Sequence, residues 1–327
     1  MITCEEIYDL NITGALESAL CEAYREIPLD SRNSMRKNDT PLHMACAFAD
    51  ENAVRILLER GADVNVRNDD GDTPLCVLAK RKCCGKETTI AGIAGLLVSK
   101  EARDPRSGKN TTALIEAVGN RHFLMADILL MSGCRIDSTN SNGNNVLHVI
   151  CQSAGDIAYD IKRTKERIAD FSERWYSEKD KREAYENMEY LEEADRQCFL
   201  TAKRILENGQ IDTEDKNNIG KTALDIAWET GARRIGALLS GQDPDTDELS
   251  ALIGGLDVFQ ALWYKDMIAL DAILRSGTEL QTVCEDKKLH DFKGRSPLAC
   301  ALLWDNAEAA EMLLRSGADP DFKDLEE

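Results

Sequence analysis

Thr40-Pro41-Leu42-His43-Met44-Ala45 opens a segment whose pattern returns, in worn copies, down the whole chain. With Thr40 as origin, the equivalent positions are Thr73, Thr112, Asn145, Thr222, Leu256 and Ser296, at spacings of 33, 39, 33, 77, 34 and 40. Two spacings equal 33, one is a residue longer, and the others contain insertions. Self-similarity at a fixed period of this size is the mark of a stacked-repeat protein. A second marker agrees: Gly61 stands 21 residues after Thr40, and Gly133, Gly277 and Gly317 stand 21 after Thr112, Leu256 and Ser296.

One unit can be read from residues 38–70. Asn38-Asp39-Thr40-Pro41 supplies a capping residue followed by a proline in the first turn, where its missing N–H costs nothing. The helix continues through Leu42, Ala45 and Cys46, whose small side chains permit close packing. After the polar turn Asp50-Glu51-Asn52, Val54, Leu57 and Leu58 define the buried stripe of a second helix. Gly61 ends that helix, and Asn68-Asp69-Asp70-Gly71 is a turn signal ahead of the next Thr73-Pro74-Leu75. Each unit therefore reads as helix, turn, helix and hairpin finger.

These residues resemble the ankyrin repeat family over roughly residues 38–327, most specifically at Thr40–Asp63, Thr73–Leu78, Asn145–His148, Thr222–Ala227 and Ser296–Asp319. The pattern is weakest at Leu256, and in the second unit Glu101 stands seven residues late for the terminal glycine. The resemblance implies an all-α repeat solenoid with hairpin fingers, about seven units long and forming a single domain over residues 1–327. Residues 1–37 carry no repeat motif. Their stripe of Ala15, Leu16, Ala19, Leu20, Ala23, Tyr24 and Ile27, stopped by Pro28, predicts N-terminal capping helices that cover the apolar end of the array.

The largest departure from a plain array is the 77-residue spacing between Asn145 and Thr222. Residues 155–198 expand the junction between the two helices of the fourth unit. Ile157, Ile161, Ile168, Phe171 and Trp175 on one side, and Tyr185, Met188, Leu191, Cys198, Ala202 and Ile205 on the other, follow helical spacing around a polar break at Ser177–Arg182. That pattern predicts an inserted antiparallel helical hairpin. Seven of the chain's 18 aromatic residues lie between Tyr159 and Phe199, so this segment has apolar mass to pack into its own seam or to present as contact anchors.

Composition bounds the function. The formal net charge of −19 repels a phosphate backbone and excludes nucleic acid, leaving a neutral or basic partner as the better fit. The acidic runs at Asp243–Glu248 and Asp319–Glu327 read as solvated loops. The longest apolar run, Ile90–Val98, is about half of the ~20 residues that span a bilayer. Residues Met1–Glu6 lack the basic start and apolar core of a signal peptide. Eleven cysteines without a regular framework, several at core positions, read as reduced packing residues of a cytoplasmic protein.

Catalytic motifs are absent: there is no His-Glu-x-x-His, Gly-x-Ser-x-Gly, Cys-x-x-Cys or strand-borne GxGxxG. Ser107-Gly108-Lys109-Asn110-Thr111 resembles the end of a phosphate loop but lacks its first glycine and its strand. His43 and His148 each have a cysteine three residues on, Cys46 and Cys151, a spacing within reach of a Cys–His pair. Both pairs fill ordinary repeat positions, where the resemblance assigns the histidine a structural hydrogen bond. The vicinal Cys83-Cys84 lies near Lys82 and Lys86, a setting for a redox-sensitive thiolate or for an incidental loop. No cofactor or metal is implied.

The resemblance places partner contacts on the concave side, at finger tips and at exposed positions of each first helix. By register the tips include Arg67, Asp69, Asp70 and Asp72, then Asn140, Ser141 and Asn144, then Lys216, Asn218 and Lys221, and finally His290, Phe292, Lys293 and Arg295. The helix positions include Lys80 and Arg81, Trp263 and Tyr264, and Trp304. Trp263, Tyr264 and Trp304 fall on adjacent units with Phe292 nearby, either as exposed anchors rimmed by His290, Lys293 and Arg295 or as rings that close degenerate C-terminal units. The expected function is non-catalytic binding of a protein or peptide by a monomer along the groove. Alternatives are a regulatory or scaffolding subunit, or an enzyme with its site in the insertion.

Overall fold

A computed structural model describes residues 2–13, 17–82, 86–102, 111–172, 176–242 and 256–324. Ala15 and Leu16 of the capping stripe, Cys83-Cys84, residues 107–110, Trp175, the acidic run 243–248 and residues 325–327 lie outside that set. The described residues form sixteen α-helices, three short 3-10 turns and no strand. The chain divides into two compact units, residues 1–153 with 160–223 and residues 154–159 with 224–327.

In the first unit two rows of helices build up. α1 (Cys4–Thr13) and α2 (Glu17–Glu26) are followed by the repeat pairs α3 (Pro41–Phe48) with α4 (Glu51–Glu59), α5 (Pro74–Ala79) with α6 (Glu87–Ser99), and α7 (Ala113–Gly119) with α8 (Phe123–Met131). One row stacks α1, α3, α5 and α7. The other stacks α2, α4, α6, α8 and the long α10 (Glu178–Glu207). The cap is thus a helix pair standing where a preceding repeat would stand. Cys4, Ile7, Ala23, Tyr24 and Ile27 are its buried residues, whereas Ala19 is exposed. Arg60 ties the cap down by donating to the carbonyls of Tyr24 and Ile27 at 2.6 and 2.7 Å, satisfying groups that the end of α2 leaves open.

The origin residues do the work the pattern assigns them. Thr40, Thr73, Thr112, Asn145 and Ser296 are N-caps with extended backbone, three of them followed directly by proline. Nine residues after the origin, a left-handed residue breaks the first helix: Ala49, Arg121, Gly231, Lys265 and Asp305. Glu101, with φ of 63°, takes the left-handed position that glycine holds elsewhere, so the second unit is lengthened ahead of its second helix and otherwise intact. In the sixth unit the cap is Asp257 and not Leu256. A reciprocal Asp257–Gln260 capping box starts the helix one residue late, while Lys265 keeps the register at its far end.

At the fourth origin no left-handed residue interrupts the chain, and α9 runs unbroken from Val146 to Ala169. The inserted segment therefore does not occupy a junction between two short helices; it prolongs both helices of the repeat. The arms are antiparallel. Ile150 accepts a weak bond from Cys198 at 3.8 Å, Thr164 Oγ1 accepts from Asn187 Nδ2 at 3.2 Å, and Phe171 meets Tyr176 and Tyr185 at 4.8 and 6.2 Å. Buried residues on α10 recur as Ala184, Leu191, Cys198 and Ile205, with Ala194 and Thr201 between them. That is a heptad seam. Its inner end carries the repeat's own stripe to α8, where Asp127 pairs with Arg204 and accepts from Thr201 at 3.1 Å.

The second unit contains α11 (Ala223–Thr230), α12 (Arg233–Leu239), α13 (Val258–Trp263), α14 (Met267–Arg275), α15 (Pro297–Leu303) and α16 (Ala307–Arg315). α13 stacks on α15 and α14 on α16 around a core that includes Leu262, Leu270, Ile273, Phe292, Cys300 and Leu313. Gly155 of α9 belongs here too. A Cβ at that position would meet Thr230 Cβ at 2.2 Å, so only glycine permits this approach.

Candidate aromatic contact surface

The expected contact residues of the second unit gather at one place because each stands at the end of a first helix or on the finger beside it. Trp263 is the last residue of α13 and Tyr264 its C-cap, while Trp304 is the C-cap of α15. The left-handed residues Lys265 and Asp305 then turn the chain away, leaving the rings at the rim. Trp263 and Trp304 lie 4.8 Å apart between ring centroids, tilted by 40°. Phe292 lies 5.3 Å from Trp263, nearly perpendicular, and 4.9 Å from Trp304. His290 is 5.6 Å from Trp263. These are the offset and edge-on geometries that aromatic quadrupoles favour.

The rings differ in exposure. Trp263, Tyr264 and Trp304 are half-buried against the core of the unit. Phe292 is wholly buried, contrary to its expected place at an exposed finger tip. The short 3-10 turn His290–Phe292 rotates its ring inward, so Phe292 supports the tryptophans from beneath and has no surface to offer. His290, Lys293 and Arg295 are exposed on the same finger. His290 lies 3.4 Å from Asp291, and Arg295 lies 4.0 Å from Asp324.

Two partners of this row escape the sequence reading. Trp228, six residues after Thr222, pairs with Tyr264 at 6.1 Å, whereas the positions seven and eight after the origin, which are Trp263 and Tyr264 in the next unit, are here Glu229 and Thr230. Lys265 places its ammonium 5.5 Å over the Trp304 ring. Burial, followed by the charges of Asp225, Glu229 and Asp286, pushes the Tyr264 hydroxyl up to about 12. Lys288 reaches Asp225 at 2.8 Å. A tryptophan at any helix position was the available signal for Trp228, but its pairing depends on the offset between units.

Arg67, Lys80 and Arg81 belong to the first unit. Arg67 is exposed and donates to the Gly71 carbonyl at 3.1 Å. Lys80 is held by both carboxylate oxygens of the buried Asp72 at 2.6 Å. Arg81 donates to the Ala47 carbonyl, and its own carbonyl accepts from His122 Nε2 at 2.8 Å. A cleft of about 420 Å³ lies among Lys37, Asp39, Asp70, Asp72, Lys80 and Arg81, with Lys37 paired to Asp70. Its cations are engaged in internal pairs, which makes it a polar groove of nearly balanced charge.

His43 and His148 occupy structural positions. His43 Nδ1 accepts from the Thr40 amide at 3.2 Å and its Nε2 faces the Asp72 carbonyl at 2.9 Å. His148 Nε2 faces the Lys221 carbonyl at 3.0 Å. Burial holds His43 below the ordinary histidine value and pushes the thiols of Cys46 and Cys151 up, the reverse of what a thiolate nucleophile needs. Among the described residues no cluster of three or more His, Cys, Asp or Glu side chains could hold a metal ion, and no helix is long and apolar enough to cross a membrane.

Stacked helix pairs with capped first helices and glycine-ended second helices define an all-α repeat protein. The ankyrin repeat model matches residues 37–69 and 293–325, so the chain carries ankyrin repeats and its fold is the all-helical one of that family. It is similar to an ankyrin repeat-containing protein of Schizosaccharomyces pombe, 34% identical over 68 residues, which cover 19% of this chain and 33% of that protein. Similarity to the phosphocholine transferase AnkX of Legionella pneumophila is 26% over 201 residues, 58% of this chain and 20% of that protein. A B-cell lymphoma 3 protein homologue of Mus musculus is 29% identical over 121 residues, 35% of this chain and 25% of that protein. The chain thus spans a third or less of the length of these relatives.

Proposed function

We propose that this chain is a non-catalytic binding module that holds a protein or peptide segment against the ends of its first helices, with the aromatic row of the second unit as anchor. Ankyrin repeats generally mediate protein–protein interaction, which supports the class of function. The observation that carries the choice of surface is the set of three half-exposed rings, Trp263, Tyr264 and Trp304, braced from below by the buried Phe292. Large rings fixed in place lose little conformational freedom on binding, which is why such residues dominate interface energetics. The exposed His290, Lys293 and Arg295 are proposed as the polar rim of that contact, and Arg67, Lys80 and Arg81 as a separate polar contact on the first unit. The module acts as a monomer in the cytoplasm.

Similarity to a phosphocholine transferase concerns a fifth of that enzyme and brings no reaction to this chain. Affinity capture with the full chain, beside Trp263→Ala and Trp304→Ala variants checked for folding by circular dichroism, tests the reading. A partner retained by the parent and lost by the folded variants supports it. Equal retention by all three moves the contact surface elsewhere.

A further inference from the structure

We infer that the first finger of the array, built on Met35 and Arg36, takes an acidic partner segment, with Arg36 receiving a carboxylate and Met35 an adjacent apolar side chain. This rests on the reading of the first unit as a polar contact, and it names the chemistry of the segment held there. The guanidinium of Arg36 lies 4.9 Å over the ring of Tyr8, and its Nη1 donates to Tyr8 Oη at 3.1 Å. Tyr8 in turn lies 5.7 Å from Phe48, tilted by 50°. Phe48 stands eight residues after Thr40, the position that carries Tyr264 and Trp304 in the second unit. Arg36 is exposed, and among the described residues its Nε and Nη2 donate to no group. A guanidinium held over a ring with one edge of its fork open is set to give two parallel bonds to a carboxylate.

Met35 gives the second anchor. It is 82% exposed although its backbone is fixed: its amide donates to Asn33 Oδ1 at 3.0 Å, and Glu5 accepts from the Ser34 amide and hydroxyl at 3.0 and 3.1 Å. One exposed apolar side chain is ordinary on a protein surface. This one stands on a pinned turn and lines, with Arg36, Ala47, Val77 and Arg81, the cleft of about 420 Å³. A turn already fixed in place loses little freedom when a partner docks on it.

Charge selects the partner. Residues 31–38, Ser-Arg-Asn-Ser-Met-Arg-Lys-Asn, hold three cations and no carboxylate in a chain of net charge −19. Four cations and three carboxylates line the cleft, and both lysines are matched, Lys37 with Asp70 and Lys80 with Asp72. Asp39, the third carboxylate, is buried and accepts from Asn68 Nδ2 at 2.7 Å. The guanidiniums of Arg36 and Arg81 donate to a phenol and to the Ala47 carbonyl, so among the described residues their charge meets no carboxylate in an ion pair. The chain as a whole repels an acidic segment, and the attraction is therefore short-ranged and particular to this finger.

Phage-displayed random twelve-residue peptides, selected on the immobilised full chain at physiological ionic strength, test this. Bulk charge enriches basic peptides, so peptides with Asp or Glu beside Leu, Met or Phe are the expected sign of the finger. Labelled synthetic versions are then measured by fluorescence anisotropy. Arg36→Gln should weaken them by about tenfold or more, as should replacing their acids with Asn or Gln. Arg36→Lys, which keeps the charge and loses the fork, should fall between. Met35→Ser should cost about fivefold. Arg55→Gln, which removes the same charge from an exposed pair on α4, should leave the affinity nearly unchanged. All three positions are exposed, so the variants keep the fold, which circular dichroism checks. A selection without acidic peptides, acidic peptides that bind Arg36→Gln equally, or an equal loss in Arg55→Gln would each overturn the inference. Peptides that keep their affinity for Arg36→Gln and lose it with Arg67→Gln overturn it and leave a first-unit contact standing. Peptides retained by every first-unit variant remove that contact as well.

Discussion

The Nε2 atom of His43 lies 2.9 Å from the carbonyl oxygen of Asp72, joining the first helix of one repeat to the finger that precedes the next. Because Nδ1 accepts from the Thr40 amide, the ring is neutral and its proton is on Nε2, where it donates to that carbonyl. Replacing His43 or His148 with alanine leaves buried backbone groups without a partner. Either change should lower the free energy of unfolding by about 1–3 kcal/mol, measured by urea titration, with no change in metal content. Stoichiometric zinc in the parent, lost in either variant, would contradict a structural role.

Acid should weaken the fold through its buried histidines. His43 and His122 are wholly buried, and burial holds both below their ordinary value. As pH falls through about 6.5 the unfolded chain takes up protons that the folded chain refuses, so stability declines until the folded pKa values are reached. Each histidine contributes a slope of up to about 1.4 kcal/mol per pH unit in that window. Asp257, whose carboxyl burial raises, works in the opposite direction. Urea midpoints at pH 7.5 and 5.5 should differ, and His122→Gln should reduce the difference. A pH-independent midpoint would show that these histidines titrate freely.

The arms of the hairpin beyond the repeat should be dispensable for folding. Replacing residues 161–190 with a short Gly/Ser loop keeps Asp160 for its 2.9 Å pair with Arg121 and keeps the buried Leu191, Cys198 and Ile205. Loop length carries only a small entropic term, so unfolding should stay cooperative and the midpoint should shift by only a few degrees. A broadened or split transition would mean that the arms are integral to the core.

The aromatic row should separate support from contact. Phe292→Ala should cost about 3–5 kcal/mol, the scale of a buried ring, and unfold the second unit first. Trp304→Ala, at a half-buried position, should cost less stability and weaken partner binding by about 2 kcal/mol or more. Differential scanning calorimetry beside titration with the captured partner compares the two. Equal stability losses with unchanged affinity would make Trp304 a closing residue of the last unit.

Most of the fold was legible because the repeat writes its caps and breaks as residue types. Thr40-Pro41 at the start, Gly61 at the end and the stripe of Val54, Leu57 and Leu58 each follow from backbone chemistry within a single unit. What the pattern missed depends on relations between units. Leu256 marked the sixth origin by spacing, yet the cap is Asp257, because a reciprocal bond with Gln260 outweighs the count. Phe292 looked like a tip residue, yet the turn at His290–Phe292 buries it. Trp228 pairs with Tyr264 across different helical positions, an offset that no single unit encodes. The unbroken α9 was hidden for the converse reason: what continues the helix is the lack of a break.

The seam of the hairpin restricts how its length can change over time. On α10 the buried residues recur every seven from Ala184 to Ile205, and the outer part of this stripe continues the stripe by which the repeat itself is packed. Adding or removing a residue count other than a multiple of seven on one arm rotates everything beyond it off the seam. A change confined to one arm also shears Asn187 away from Thr164. Lineages that inherit this projection should therefore differ by matched sevens in both arms, so the distance it reaches from the repeats is quantised at about 10 Å per step.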